Sequence, residues 1–287
     1  METRRRLILA IVATACVALL EFWGGAVSRS LALTSDAVHV CMDAFALGLA
    51  LLAAIGAARP ADPRRTFGYG RIEVLGALVN GTVLLVATIA IVYAAARRFA
   101  LPVEPHALTM TLVAAAGLAV NGGVGLLLRG AGKRDLNVRA ALFHVLGDAL
   151  GALAVIAGGI IIGFAHVAWI DPLLSLFVAA IIVVGIAKVF RDATDVLLES
   201  APESVDSSLV AEHLAKIGGV CGIHDLHVWS IGSGSHALSA HVLLDDRRLS
   251  EATEVLREID ECAQAHFGIT HVTIQFECES CPVVVRH

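Results

Sequence analysis

The sequence predicts an α-helical membrane protein with six transmembrane helices, followed by a cytoplasmic α+β domain. The 287 residues are 57% hydrophobic with a mean hydropathy of +0.79, whereas soluble domains are roughly 45–50% apolar. The excess is confined to residues 1–198, where long apolar runs follow one another. Residues 199–287 have the composition of a soluble domain. These two ranges are the predicted domains.

Six apolar runs are each long enough to cross about 30 Å of hydrocarbon. Arg4 to Arg6 precede the first run, and because further runs follow it, we expect a span rather than a signal peptide. Asp171 is predicted to cap the start of the sixth helix, and Asp36 the start of the second. The runs cover roughly residues 7–27, 35–58, 70–96, 106–128, 138–165 and 170–190.

The basic residues of the connecting loops predict the orientation. They precede the first span, lie between the second and third and between the fourth and fifth, and follow the sixth. Cytoplasmic loops of membrane proteins carry an excess of Lys and Arg. Both termini are therefore predicted to be cytoplasmic.

The C-terminal region alternates short helix and strand patterns in the order αββαβ. From residue 200 onward, five basic and thirteen acidic residues give a net charge of −8, whereas the remainder carries +3. Neither region has the basic patch expected of a nucleic-acid-binding protein. Helices are predicted at 205–217 and 249–267, and strands at 223–231, 237–244 and 271–277.

One motif occurs in both the second and the fifth apolar run. His39 and Asp43 are four residues apart, as are His144 and Asp148, so each pair lies on one helix face. Ionisable residues inside a span are costly and indicate function. Two imidazoles and two carboxylates are donors that zinc accepts. We therefore predict a four-ligand metal site within the membrane, called the membrane site below.

The charges of the membrane site predict how it works. Two carboxylates and two neutral imidazoles carry a formal charge of −2, which one divalent cation cancels. An empty site holds two like charges in a low dielectric, so it takes up protons when the metal leaves and expels them when metal binds. A site that makes this exchange and opens to each side of the membrane in turn is an antiporter. The alternating access itself does not follow from the residues.

Histidine and cysteine point to a second metal site in the C-terminal region. Eight of the twelve His residues lie beyond residue 200. The six Cys residues show no spacing typical of a secreted disulfide framework. Cys278 and Cys281 form the one closely spaced pair, and in a cytoplasmic domain such a pair predicts metal binding before a disulfide.

These motifs resemble those of the cation diffusion facilitator family of zinc transporters, in its bacterial cobalt/zinc/cadmium-type members. The resemblance covers nearly the whole chain. Its motifs are Ser-Leu-Ala-Leu-x-Ser-Asp-Ala-x-His-x-x-x-Asp at residues 30–43, Phe-Gly-Tyr-Gly-Arg-x-Glu at 67–73, His144-x-x-x-Asp148, and Ile-His-Asp-Leu-His-Val-Trp-Ser at 223–230.

The resemblance implies a homodimer in the bacterial inner membrane that rocks between inward-open and outward-open states. It implies Zn²⁺ efflux in exchange for H⁺, with divalent cations and protons as substrates and membrane lipid around the helices. His39, Asp43, His144 and Asp148 would be the transport ligands. A His at position 39 favours zinc over cadmium in this family, and broader transport of Cd²⁺, Co²⁺ or Ni²⁺ is the alternative.

The C-terminal region resembles the family's metallochaperone-like cytoplasmic domain. The resemblance carries over His224, His241 and His271 as zinc ligands, with Glu277 a weaker match. Cys278 and Cys281 resemble a C-terminal Cys pair that reaches a site on the partner protomer. We expect bound zinc to relieve the repulsion between two acidic domains, which would make this domain a zinc sensor.

The sequence argues against two alternatives, a further metal site implied by the resemblance and an enzymatic function. A third family site uses His where this chain has Tyr69, which leaves Asp62 as the one ionisable oxygen ligand there and argues against that site. A membrane-embedded metalloprotease would need a motif such as His-Glu-x-x-His, which is missing from the sequence. The chain is therefore predicted not to be an enzyme. A membrane-tethered metal sensor without transport remains the other alternative.

Overall fold

The computed structural model describes residues 2–129, 136–232, 234–245 and 247–278, without the side chains of 2–8, 10, 11, 127–129, 136–145 and 249. Six long helices come first, and the predicted order αββαβ follows them. The helices are α1 (Glu2–Ser28), α2 (Leu31–Ala57), α3 (Arg71–Ala100), α4 (Ala107–Arg129), α5 (Leu136–Ala165), α6 (Ile170–Leu197), α7 (Ser207–Leu214) and α8 (Leu249–Phe267). The strands are β1 (Val220–Gly232), β2 (Ser235–Leu244) and β3 (Ile269–Cys278).

The six predicted spans correspond to α1–α6, which confirms the fold class. Within the described residues, α2 to α6 are long and apolar enough to cross a membrane, and α1 contributes a shorter apolar stretch, Val12–Ser28. Many large apolar side chains on these helices are exposed. That is expected of helices that face lipid rather than water.

Two predicted helix caps are wrong, and one buried carboxylate explains why. Asp171 lies inside α6 and accepts hydrogen bonds from the backbone N–H groups of Leu31 (2.7 Å) and Ala32 (3.2 Å). It thus caps α2, a helix distant in sequence, while Arg98 pairs with it at 2.8 Å. Because α2 starts at Leu31, Asp36 lies in its second turn and caps nothing. A cap supplied by another helix cannot be read from local sequence.

Contacts divide the chain into two compact units, residues 1–48 with 80–188 and residues 49–79 with 189–287. These boundaries differ from the predicted one near residue 198, because the end of α2, the loop after it and the start of α3 pack in the second unit. In the first unit, α4 contacts both α1 and α5. Its buried cluster consists of Ala32, Leu33, Met110, Val113, Ala114, Val155 and Ile162.

The second unit contains a three-stranded sheet in the order β1-β2-β3. β1 and β2 are antiparallel, and β2 and β3 are parallel because α8 connects them. Side chains of α7 and α8, among them Val210, Leu214, Val255 and Ile259, bury the apolar face of the sheet. The other face is free to carry polar side chains.

Candidate metal sites

The first half of the membrane site lies on one face of α2. His39 Nε2 is 3.7 Å from Asp43 Oδ2, as the four-residue spacing predicts. His39 Nδ1 is buried and has no hydrogen-bond partner among the described residues. A buried imidazole nitrogen without a partner is unfavourable in a protein interior. Such a nitrogen is available to coordinate a metal ion.

The second half of the membrane site lies on α5. Asp148 is 8% exposed, and an ionisable residue buried within a span indicates function. His144 belongs to α5, but its side chain lies outside the described residues. The position of the fourth predicted ligand atom therefore stays a prediction.

The two motif helices approach each other next to the predicted ligands. A Cβ atom on Gly151 of α5 would lie 3.7 Å from Asp36 Oδ1 of α2, an ordinary van der Waals contact. Gly151 is one turn from Asp148, and Asp36 is one turn from His39. The charges of Asp36 and Asp148 interact. The contact between the two helices thus lies one turn from His39 on α2 and one turn from Asp148 on α5.

A second group of potential ligands lies on the polar face of the sheet in the other unit. The ligand atoms of His224, His241 and Glu277 all lie within 4.8 Å of one another, and this trio is called the sheet cluster below. His224 Nε2 is 3.0 Å from Glu277 Oε2, and His241 Nδ1 is 2.8 Å from Glu277 Oε1. Two imidazoles and one carboxylate form a donor set found in zinc sites.

The strand register brings the sheet cluster together. His224 of β1 is paired with His241 of β2, and Glu277 of β3 is paired with Leu243, two residues further along β2. Side chains two residues apart on a strand share a face. The three ligands are therefore neighbours on that face, and their mutual position is fixed by backbone hydrogen bonds.

Asp225 and His227 extend the sheet cluster, and sequence reasoning did not assign either as a ligand. The register of β1 shifts between His224 and His227, and Asp225 has a left-handed backbone with φ of 51°. Asp225 Oδ2 lies 3.7 Å from His241 Nε2, and Asp225 Oδ1 lies 3.0 Å from His227 Nε2. A bulge of this kind re-aims side chains, and Asp tolerates that conformation well.

Hydrogen bonds keep Glu277 in its ligand form. The bond with His224, supported by those with His241 and Gln275, holds the pKa of Glu277 below its ordinary value against a smaller opposing effect of desolvation. Glu277 thus remains an anionic oxygen donor to a lower pH than an ordinary Glu does.

The other three predicted ligands of this domain, His271, Cys278 and Cys281, are not part of the sheet cluster as the structure describes it. His271 is six residues before Glu277 on β3, about 20 Å away along an extended strand, and its ring is 5.7 Å from that of Phe67. The neighbour of Glu277 on the same face of β3 is Gln275, two residues before it, rather than His271. Cys278 is disulfide-bonded in the structure, so in this state it offers no thiolate. Cys281 lies outside the described residues.

Asp62, the residue left from a third family site, is held by its neighbours. Tyr69 donates a hydrogen bond of 2.5 Å to Asp62 Oδ2, and the Arg65 guanidinium lies 3.6 Å from the same oxygen. The Tyr69 hydroxyl is the largest cause of a lowered pKa of Asp62. This carboxylate is thus satisfied by residues of its own loop.

Two family models together match most of the chain. Residues 7–198 match the cation efflux transmembrane domain, and residues 202–279 match the cytoplasmic domain of cation efflux proteins, a dimerisation domain. Together with the six apolar helices, these matches make the chain an integral membrane protein that forms homodimers.

Named relatives are similar over nearly the whole length. The chain is 38% identical to a "Cadmium, cobalt and zinc/H(+)-K(+) antiporter" of Bacillus subtilis, over 96% of this chain and 90% of the relative. It is 37% identical to "Zinc transporter ZitB" of Escherichia coli, over 96% of this chain and 88% of the relative. A solved structure, the "Metal-bound C-terminal domain of the CzcD transporter" of Cupriavidus metallidurans, is 41% identical and covers 25% of this chain and 99% of that one, with a TM-score of 0.24.

Proposed function

The chain belongs to the cation efflux family, and from this premise we propose that it exports Zn²⁺ across the bacterial inner membrane in exchange for protons. The transported ion is held by His39, Asp43, His144 and Asp148. The observation that supports this most is the contact between α2 and α5 at Asp36 and Gly151. Gly151 is one turn from Asp148 and Asp36 is one turn from His39, so this contact supports a site shared by the two helices.

The exchange follows from the charge of the membrane site. One Zn²⁺ neutralises the two carboxylates, and its binding requires neutral imidazoles and ionised carboxylates, so protons leave as the metal enters. When the site faces the outside, protons displace the zinc and neutralise the carboxylates in its place. Protons that move inward therefore drive zinc outward. The loop charges orient this exchange, with both termini in the cytoplasm.

Zinc is the proposed main substrate for two reasons. Its borderline character suits mixed nitrogen and oxygen ligands, and one of the similar proteins is named a zinc transporter. Another is named for cadmium, cobalt and zinc, which keeps broader transport of Cd²⁺, Co²⁺ or Ni²⁺ as the alternative. The order of these ions in a competition assay decides between them.

The sheet cluster is proposed to bind zinc as a regulatory ligand rather than as cargo. It lies in a domain of net charge −8, so two such domains in a homodimer repel each other. Bound cations reduce this repulsion and stabilise the paired state. High cytoplasmic zinc would in this way activate transport.

No enzymatic activity is proposed. A catalytic zinc keeps an open coordination position for water, whereas four protein ligands at the membrane site would fill the tetrahedron. A metal sensor without transport is the remaining rival. It predicts zinc binding but no flux.

The test is zinc flux into proteoliposomes that contain the full-length homodimer, with a pH gradient as the driving force. The wild-type protein is expected to transport zinc, and Asp43→Asn and Asp148→Asn are each expected to lower the flux by about 100-fold or more, because each removes a ligand charge. Cd²⁺, Co²⁺ and Ni²⁺ are added as competitors. Glu104→Gln, at a solvent-exposed carboxylate outside the site, is the matched control and should transport normally. Zinc binding without flux in the wild type would support the sensor instead.

A further inference from the structure

A buried carboxyl group outside the membrane site lies where α1 meets α4. Glu21 is 1% exposed and belongs to an apolar stretch of α1. A Cβ atom on Gly117 of α4 would lie 2.8 Å from Glu21 Oε1. Since such a distance is too short for real atoms, only glycine at 117 leaves room for the carboxyl group in this position.

Two buried acceptor oxygens where α1 meets α4, called the α1–α4 seam below, find no donor within the described part of the chain. Glu21 Oε2 and Asn121 Oδ1 are both buried without a hydrogen-bond partner among the described residues, and Asn121 is 3% exposed. Gly24 lies against Val113 and Glu21 against Gly117, so the helices are antiparallel and Asn121 lies one turn along the seam from Glu21. Two unpaired acceptors at one seam indicate a missing proton or cation.

Glu21 interacts with other carboxylates of the first unit. The charged groups that act on it are Asp36 on α2 and Asp148 on α5, the second of which belongs to the membrane site. Neighbouring negative charges in a low dielectric destabilise one another. A divalent cation cancels the charges of both carboxylates of the membrane site, whereas in the empty site Asp148, Asp36 and Glu21 share the protons that replace the metal. The charge on Glu21 is thus sensitive to whether metal is bound.

We propose that Glu21 is a proton-binding site of the exchange, separate from the four metal ligands; this inference rests on the proposed function. When zinc leaves, the Glu21 carboxylate takes up one proton and becomes a neutral acid that can donate a hydrogen bond in the seam. When zinc binds, that proton is released. Linkage is reciprocal, so a proton on Glu21 also favours release of zinc.

The occupant is a proton rather than a metal ion because of space and donor number. Hard cations in proteins take several oxygen ligands, typically about six or more. Val17 and Glu21 Oε1 both lie against Gly117, at 3.4 and 2.8 Å from where its Cβ would be, so this side of the carboxyl group offers no oxygen ligand. A proton adds no heavy atom and supplies the donor that the seam lacks.

The test counts the protons that are released per zinc bound. It uses the full-length homodimer in detergent, in a His224→Ala/His241→Ala background so that the sheet cluster does not contribute. Calorimetry in buffers of different ionisation enthalpy gives the count. Glu21→Gln keeps the shape of the side chain but cannot ionise, and it should lower the count by about one proton while zinc still binds.

Zinc flux in proteoliposomes is the second measurement. Glu21→Gln should lower pH-driven zinc uptake about tenfold, which is within the usual range of coupling free energies, and should lower Zn²⁺/Zn²⁺ exchange much less.

Two further variants separate proton binding from packing. Glu21→Asp retains an ionisable group and should restore most of the proton count, whereas Gly117→Ala displaces the carboxyl group and should reduce the coupling without removing any titratable residue. An unchanged proton count in Glu21→Gln, or a parallel loss of zinc exchange and pH-driven uptake, would overturn the proposal. So would a Glu21-dependent effect of K⁺ in place of H⁺. Zinc transport that survives in Asp43→Asn would instead overturn the proposed function, so the two failures are distinct.

Discussion

The two candidate metal sites differ in what holds their ligands in place. In the sheet cluster, three adjacent strands fix the ligands through backbone hydrogen bonds, and Glu277 already contacts both His224 and His241. In the membrane site, the ligands come from α2 and α5, and His39 and Asp43 are 3.7 Å apart. Helices in a membrane are held by packing and a few interhelical hydrogen bonds, without a strand register, and can shift as rigid units.

This difference suits the two tasks proposed for these sites. A regulatory site needs a stable geometry, so that occupancy reports concentration, and a strand register provides it. A transport site has to bind and then release its ion, which requires ligands that separate when helices move. The largest expected effects come from changes that affect one site and leave the other intact.

A substitution in the sheet cluster is expected to have the largest effect, because it should abolish zinc activation and leave basal transport intact. His241 contacts Glu277 through Nδ1 and approaches Asp225 through Nε2, so His241→Ala removes its central ligand. We expect zinc affinity of the cytoplasmic domain to fall by about 100-fold and zinc activation to be lost, with basal transport retained. Flux measured at increasing internal zinc is the readout. His236→Ala, on the same strand but outside the cluster, is the matched control, and zinc activation that persists in His241→Ala would refute the regulatory role.

A moderate effect is expected where the loop after α2 meets the hairpin between β1 and β2. A Cβ atom on Gly232 would lie 2.9 Å from Gly70 Cα, so Gly232→Ala pushes the loop and the hairpin apart. Zinc should still bind the sheet cluster, but zinc activation of flux should fall by a factor of about five, the lower end of typical coupling energies.

The control for this contact is Gly222→Ala in the same strand. There an added Cβ meets Leu243 at an ordinary 3.7 Å, so zinc activation should stay normal. Equal losses of activation in both variants would mean that the strand, rather than the contact with Gly70, is responsible.

The sequence predicted local structure better than it predicted contacts between distant segments. The αββαβ order and the six apolar helices follow from periodicity, which is a local property. His39 and Asp43 share a face because four residues make one helical turn. The caps of Asp171 and Asp36 were assigned wrongly, since the partner of Asp171 is the start of α2, some 140 positions away.

The ligands of the sheet cluster also show that contacts between distant segments are harder to predict than local structure. His224 and His241 were predicted through the family motif, and Glu277 as a weaker match. Asp225 was missed because a bulge, not strand alternation, turns it toward His241. An Asp inside a strand pattern next to two His residues was the available signal, since Asp is depleted in regular strands.

The smallest expected effect concerns Asp62, the carboxylate that does not join either metal site. Its pKa is lowered chiefly by the Tyr69 hydroxyl, so this interaction stabilises the fold above the ordinary Asp pKa of 3.8 and is lost as the pH falls through the lower folded value. Tyr69→Phe removes the hydrogen bond and should lower the Tm at neutral pH by less than about 2 °C. The difference from the wild type should vanish in acid. Zinc flux should stay at the wild-type level, and a strong loss of flux would instead mean that the Asp62 loop takes part in ion binding.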